Sequence, residues 1–248
     1  MIAQERQTRI LNLLAKRRRL GFGELHHMTA CSPATLRRDL TSLEDRDLLV
    51  RVHGGVLHPE AAAGEPSLVE KSHTAMAAKR RIAAAAAVLV PEGATVFIDS
   101  GTTCLEAARL LRECSTLTII TNSLPVLAGH SRFQARLIVV GGEHRAISGA
   151  LVGNLAAGSL SRLRADVALI GASGLDPEAG PGTTELLEKD IKAGWLERSR
   201  RRILLCDASK WKSAATVCFA AWNELTDFVT DERPPSGFRA RSPKIHLS

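Results

Sequence analysis

Tyrosine is absent from the 248 residues, and aromatic residues of all kinds make up only 4% of them. Proteins that hold single-stranded nucleic acid stack its bases on aromatic rings, so the composition argues against that mode of binding. The five cysteines, at 31, 104, 114, 206 and 218, form no C-x-x-C pair, and the eight histidines include no H-E-x-x-H. Neither a zinc site nor a disulfide framework is expected, nor a metal or cofactor of any kind, and a reducing cytoplasm is the natural compartment. Arg6, Arg9 and Lys16 interrupt the apolar residues of the N-terminus, which therefore lacks a signal-peptide pattern. The longest apolar run, "RIAAAAAVLVP", is too short to span a bilayer and ends at Pro91, so no membrane partner is expected.

What is present is a 45% hydrophobic content and a net charge of +7. The first supplies a real core. The second favours a polyanionic partner such as nucleic acid. The length suits a small domain joined to a larger one.

Ile2, Arg6, Ile10, Leu13 and Leu14 recur at helical spacing, which predicts a first helix ending at the basic run Lys16–Arg19. That run either touches phosphates or simply complements the negative end of the helix dipole. "FGELHHMTA" predicts a short second helix with Phe22, Leu25 and Met28 turned inward. Ser32 then offers an N-cap and Pro33 suits the first helical position of a third helix. Leu36, Leu40 and Leu43 form its buried stripe, while Thr35, Arg37 and Arg38 project elsewhere near its N-terminal end. A helix-turn-helix presents that end to base edges, where arginine bonds guanine in a fork. "LLVRVHGGVL" follows as two short β-like runs around His53-Gly54-Gly55, the pattern of a glycine-tipped hairpin or wing. Arg51 and His53 are then expected beside the DNA backbone or minor groove.

Residues 58–72, rich in Ala, Pro, Gly and charge, are expected to form an interdomain linker. An alanine-rich helix is expected from about Thr74 to Val90, with Lys79, Arg80 and Arg81 on its exposed side. Beyond Pro91, "ATVFID", "LTIITN", "RLIVVGG", "DVALIGASG" and "RRILLCD" are apolar runs that each end in Gly, Asn or Asp. Helical patterns such as "TTCLEAARLLREC" and "LLEKDIKAGWLERS" separate several of them. This alternation predicts a mostly parallel sheet covered on both faces, with ligands bound beyond the carboxyl ends of its strands. "DSGTT", Asp99-Ser100-Gly101-Thr102-Thr103, offers backbone N–H groups, hydroxyls and a helix dipole that suit a phosphate. The same motif is also ordinary loop chemistry, since it lacks a Walker A lysine and a full G-x-G-x-x-G. Thr121-Asn122, Gly141-Gly142, Gly171 to Gly174, and Asp207 to Lys210 fall at other strand ends, where they can converge on it. Lys192 and Lys210 are candidate cations for an anionic ligand.

Arg6, Ile10 and Leu14, then Ser32, Thr35, Leu36, Arg37, Arg38, Asp39 and Leu40, and finally "RVHGG", closely resemble the DNA-binding region of DeoR-type bacterial transcription regulators. The resemblance implies that Ser32, Thr35, Arg37 and Arg38 read the groove, and that Asp39 orients the arginines or packs the domain. Gly23, His26 and His27 depart from the ordinary helix formers of that region. From about Glu70 to Asp231 the chain also resembles the effector domain of these regulators, through "DSGTT", "TN", "GG", "GASG", the run ending at Lys192, "DASK" and "DFVTD". Such domains look like sugar-phosphate isomerases and sense phosphorylated sugars or related metabolites. Asp99, Gly101, Thr102, Thr103, Asn122, Lys192 and Lys210 become ligand contacts on that basis. Lys189 departs from the family pattern, which leaves the ligand's identity open.

The resulting expectation is an α/β protein. A winged helix-turn-helix (1–57) and a linker (58–72) precede a Rossmann-like effector domain (73–232), which resembles sugar-phosphate isomerases. A flexible basic tail (233–248) completes the chain. It is expected to act as a homo-oligomeric repressor on double-stranded operator DNA, controlled by a phosphorylated metabolite. The alternative is an isomerase-like enzyme with an appended DNA-binding module, using carboxylates among Asp99, Asp166, Glu185, Glu188 and Asp207. Against it, the "GASG" loop carries no acid where the related isomerases place one.

Overall fold

Helix α1 (Ala3–Arg17) buries Ile10 and Leu14 completely, and α3 (Pro33–Glu44) turns Leu36, Leu40 and Leu43 toward them. Between the two lies α2 (Phe22–Thr29), which adds Leu25 to the same core. The computed structural model describes residues 2–17, 19–52, 54–57, 59, 65–213, 215–238 and 243–248, apart from the side chains of Lys16, Arg19 and Val52. His53, and residues 58 and 60–64 of the expected linker, therefore lie outside the described residues. The chain divides into two units, Met1–Glu65 and Pro66–Ser248.

In the first unit, β2 (Val50–Val52) and β3 (Gly55–Leu57) form the expected hairpin. A strand that periodicity did not announce, β1 (Arg19–Gly21), joins β3 on its other side, giving the order β1-β3-β2. Gly54 holds φ at +82°, a conformation open to glycine at little cost. A Cβ on Gly55 would stand 2.2 Å from the Leu20 carbonyl oxygen, so β1 can approach only because that position is bare.

The second unit is built on a seven-stranded parallel sheet. Its strands are β4 (Thr95–Ile98), β5 (Thr118–Thr121), β6 (Arg136–Val139), β9 (Ala165–Ile170), β12 (Ser199–Leu205), β14 (Asp227–Thr230) and β15 (Lys244–Leu247). Their order across the sheet is β15-β14-β12-β9-β4-β5-β6, and every pairing is parallel. Alternate residues face opposite layers, as a pleated strand requires. Val96 and Ile98 pack with Ile82, Ala83 and Ala86 of α5 (Met76–Ala87) and with Ala107 of α6 (Thr102–Leu111). Phe97 faces the other layer, edge-on to Trp195 at 4.3 Å, where α9 (Leu186–Glu197) packs. Among the described residues no helix is long and apolar enough to cross a membrane.

Three expectations need correction. Leu68–His73 within the supposed linker is a helix, α4, closed by a capping box between Ser67 and Glu70. Six residues carrying one apolar pair show no sustained period, so only the cap betrays it. Lys79 is not on an exposed face of α5. It is 2% exposed, and its ammonium donates to the Lys71 carbonyl. Finally, the end of the chain is not a flexible tail, because Lys244–Leu247 pairs along the whole of β14 as the edge strand.

His246 ties that edge strand down, its Nε2–H donating to Asp227 Oδ1 at 2.7 Å. Arg201 grips the same carboxylate through two bonds of 2.8 Å, and Thr226 adds a third donor. The Arg201 fork, against the opposing effect of burial and with help from Thr226 and His246, holds the Asp227 carboxyl well below the usual carboxylate range. A lowered folded-state value stabilises the fold at pH above the unfolded value, about 4, and the gain disappears as pH falls below it. Asp227→Asn should therefore lower the melting temperature at pH 7. Melts at decreasing pH should show the gap to the parent closing below about pH 4. A gap independent of pH would mean that the carboxylate charge is not what stabilises the edge.

Candidate functional site

The two units each carry a candidate site. In the first, Ser32 Oγ accepts from the Thr35 N–H at 3.2 Å and shares a 2.8 Å hydrogen bond with the Thr35 hydroxyl, capping α3 as expected. Arg37 and Arg38 are exposed in the first turns of that helix, with Ser32 and Pro33 beside them. The Arg37 guanidinium lies over the Phe22 ring, 5.4 Å from its centroid, which limits the orientations it must lose on binding. Of the two roles expected of Asp39, the contacts fit packing of the domain: it is buried and paired with Arg6 of α1, with Gln7 Nε2 3.4 Å away, so it locks α3 to α1.

Arg51 leans back on the same helix. Its amide donates to Glu44 Oε1 at 2.9 Å and its Nη1 donates to Thr41 Oγ1 at 3.1 Å. Gly54 lies at the described end of the hairpin.

In the second unit the sheet order reverses direction between β4 and β9, and the crevice at such a switch point is where doubly wound folds take ligands. Asp99 follows β4 and Gly171 follows β9. Their loops meet there, with the Gly171 N–H donating to Asp99 Oδ2 at 3.0 Å. Lys192, reaching up from α9, pairs with the same oxygen and donates to the Gly171 carbonyl at 3.1 Å. Asp99 is 2% and Lys192 5% exposed. Burial works against the Lys192 charge, but Asp99 and then Glu188 outweigh it and hold its pKa above the ordinary value.

A cleft with about 50 Å³ of enclosed space, partly open to solvent, lies over this pair. Of the residues expected at the site, Asp99, Ser100, Gly101, Thr102, Thr103, Gly171, Lys192 and Lys210 line it. Gly101 has no side chain with which to cap α6, so the first-turn N–H groups of that helix keep their donors for a partner in the cleft. Ser148, 7% exposed, also lines it, and its Oγ has no hydrogen-bond partner. Lys71 and Leu68 of α4 complete the wall, with Glu188 held by Arg145 at 3.1 Å and by the Thr183 hydroxyl at 3.0 Å.

The remaining candidates are not in this lining. Thr121 donates to the Ile98 carbonyl at 2.6 Å and accepts from the Ser123 amide, both structural bonds. Asn122 donates to the Leu151 carbonyl at 3.0 Å and leaves its Oδ1 buried without a partner. Gly142 is bare because a Cβ there would come within 2.5 Å of the Val152 carbonyl oxygen, while Gly141 meets nothing nearby. Gly174 opens β10 (Gly174–Asp176), paired with Gly182 of β11 (Gly180–Thr183). Asp207 caps the 3-10 turn Ala208–Lys212 through Ser209.

Sequence reasoning missed Ser148 and Lys71. The first sits in a turn between the short strands β7 (Glu143–Arg145) and β8 (Ala150–Val152), and the second in the segment taken for a linker. The only signal for Lys71 was the Ser67–Glu70 capping box ahead of it.

A helix with exposed arginines in one unit and a polar cleft in the other fit a DNA-binding transcription regulator with a sensor domain. The comparisons agree. Residues 74–232 match the DeoR C terminal sensor domain, and residues 6–61 match the DeoR-like helix-turn-helix domain. The chain belongs to the DeoR family of DNA-binding transcriptional regulators and is not an enzyme, which decides between the two readings of its sequence.

It is 33% identical over 234 residues to the glycerol-3-phosphate regulon repressor of Escherichia coli K12, covering 93% of this chain and 92% of that one. It is 35% identical over 250 residues to YgbI of the same strain, an uncharacterised HTH-type regulator, covering 100% and 97%. Ribose 5-phosphate isomerase A from Methanocaldococcus jannaschii is a solved structure that overlaps 53% of this chain and 52% of its own, at 19% identity and a TM-score of 0.36.

Proposed function

We propose that the protein is a cytoplasmic, homo-oligomeric repressor of a carbohydrate-related operon whose DNA affinity is set by a phosphorylated metabolite held in the cleft over Asp99 and Lys192. The observation that carries this reading is the meeting of an uncapped helix N-terminus with the unpartnered Ser148 hydroxyl and with Lys71 and Lys210. N–H donors, a hydroxyl and cations together suit a phosphate. The buried carboxylate of Asp99 is already neutralised by Lys192 and Glu188 is bonded by Arg145, so neither is left to repel a dianion. The exposed Arg37 and Arg38, with Ser32, Pro33 and Thr35, are the base- and phosphate-contacting set, and Arg51, His53 and Gly54 flank the backbone. Two-fold half-sites on operator DNA call for a dimer or tetramer.

The test is fluorescence anisotropy with duplex DNA from upstream of the protein's own operon and a scrambled duplex as control. Phosphorylated polyols and sugars are added at half-saturation, glycerol 3-phosphate first because one relative is named for that regulon, together with their unphosphorylated counterparts. Sequence-selective binding shifted by one phosphorylated compound, and not by its counterpart, is the expected result. Binding that no compound shifts would overturn the ligand assignment. Equal, salt-sensitive binding to both duplexes would overturn the operator assignment.

A further inference from the structure

Helix α4 stands where the sensor unit begins, its cap Ser67 following directly on Pro66. Six residues are too few to hold a helix in water by themselves, so its order depends on what secures it. Two tethers do so. The Leu68 amide donates to the Ile147 carbonyl at 2.7 Å, and the buried Lys79 ammonium takes the Lys71 carbonyl. The turn that accepts from Leu68 is also the turn that carries Ser148 into the cleft, and a Cβ on Gly149 in the same turn would lie 3.4 Å from Leu68 Cδ2. Leu68 and Lys71 are themselves cleft wall, alongside Thr102, Thr103 and Lys210.

We propose that α4 is the element that reports occupancy of the cleft to the DNA-binding domain: an anion seated at the start of α6 is gripped by Lys71 and Ser148, and that grip fixes the first helix of the sensor unit. This rests on the reading of the cleft as an anion site. It adds the route by which binding there leaves the sensor domain, along the chain that continues into Glu65. With the cleft empty, α4 opens locally at a cost set by its two tethers. With the cleft filled, every opening must also break the Lys71 contact, so the open state is depopulated in proportion to ligand saturation.

Hydrogen exchange followed by mass spectrometry on the full chain tests this, with inorganic phosphate titrated as the probe. In the parent protein, amides of residues 68–73 and of residues 102–105 should gain protection together and with one midpoint. In Lys71→Gln, which replaces a half-buried side chain with a neutral one, the midpoint should rise about tenfold, the loss expected for one charge-assisted bond. Protection gained at 68–73 should then vanish while that at 102–105 remains. Lys71→Arg should restore the coupling. Protection confined to 102–105 in the parent protein would overturn the role of α4 and leave the anion site standing. An unchanged midpoint in Lys71→Gln would overturn the grip by Lys71. No protection at either segment would remove the anion site, and this inference with it.

Discussion

Lys192→Met should lower the stability of the sensor domain by about 3–5 kcal/mol, the cost of leaving a buried carboxylate without its partner. Asp99 is almost wholly enclosed, and among the described residues the ammonium of Lys192 is its only cationic partner. In a domain of this size such a loss corresponds to a fall in melting temperature on the order of 10 °C, readable by calorimetry. The account makes a sharper demand on the double variant. Asp99→Asn removes the charge yet still accepts from the Gly171 N–H. Lys192→Met combined with Asp99→Asn should therefore melt well above Lys192→Met alone. A double variant no more stable than the single one would mean that packing of the lysine stem, and not the stranded charge, sets the cost. Both variants should fail to respond to phosphorylated compounds if the pair shapes the cleft floor, so the double variant separates stability from sensing.

Arg37→Ala should weaken binding to the operator by about 1–3 kcal/mol, or roughly five- to 150-fold, and relax the preference for one base pair. The variant should fold normally, because among the described residues the exposed guanidinium gives up only its contact with Phe22. Arg37→Lys distinguishes the two ways in which an arginine meets DNA. A lysine keeps the charge but not the fork, so it should recover affinity for the scrambled duplex without recovering selectivity. If Arg37→Ala weakens binding to operator and scrambled duplex equally, Arg37 contacts phosphate and the base-reading role passes to another residue of the helix.

Much of this architecture was legible because its signals are local and repeated. Leu36, Leu40 and Leu43 mark a helix face by spacing alone, and runs such as "DVALI" mark strands buried on both sides. "DSGTT" was findable from its own pattern, a glycine and hydroxyls between an apolar run and a helix start, although the order of the strands was not. What escaped depends on partners distant in sequence. The strand β1 exists because Gly55 lets it approach, and β15 because β14 offers an unpaired edge. Thr121 and Asn122 sit at a strand end like the true cleft residues, yet Thr121 spends its hydroxyl on the sheet and Asn122 its amide on the Leu151 carbonyl. Ser148 reaches the cleft only because a hairpin outside the main sheet folds over it, which no periodicity encodes.

The bare Cβ position at Gly55 has one more consequence, for how this wing can diversify. With 2.2 Å between a notional methyl and the Leu20 oxygen, the start of β3 tolerates no side chain unless β1 detaches. Gly54 beside it is held to glycine for a different reason, its positive φ. A saturation library over 54 and 55 selected only for folding should return glycine alone at 55 and, at 54, glycine with a minority of asparagine or aspartate. The two positions forbid side chains on separate grounds, one by crowding and one by backbone conformation, so a change of operator preference in this wing has to come from positions other than these.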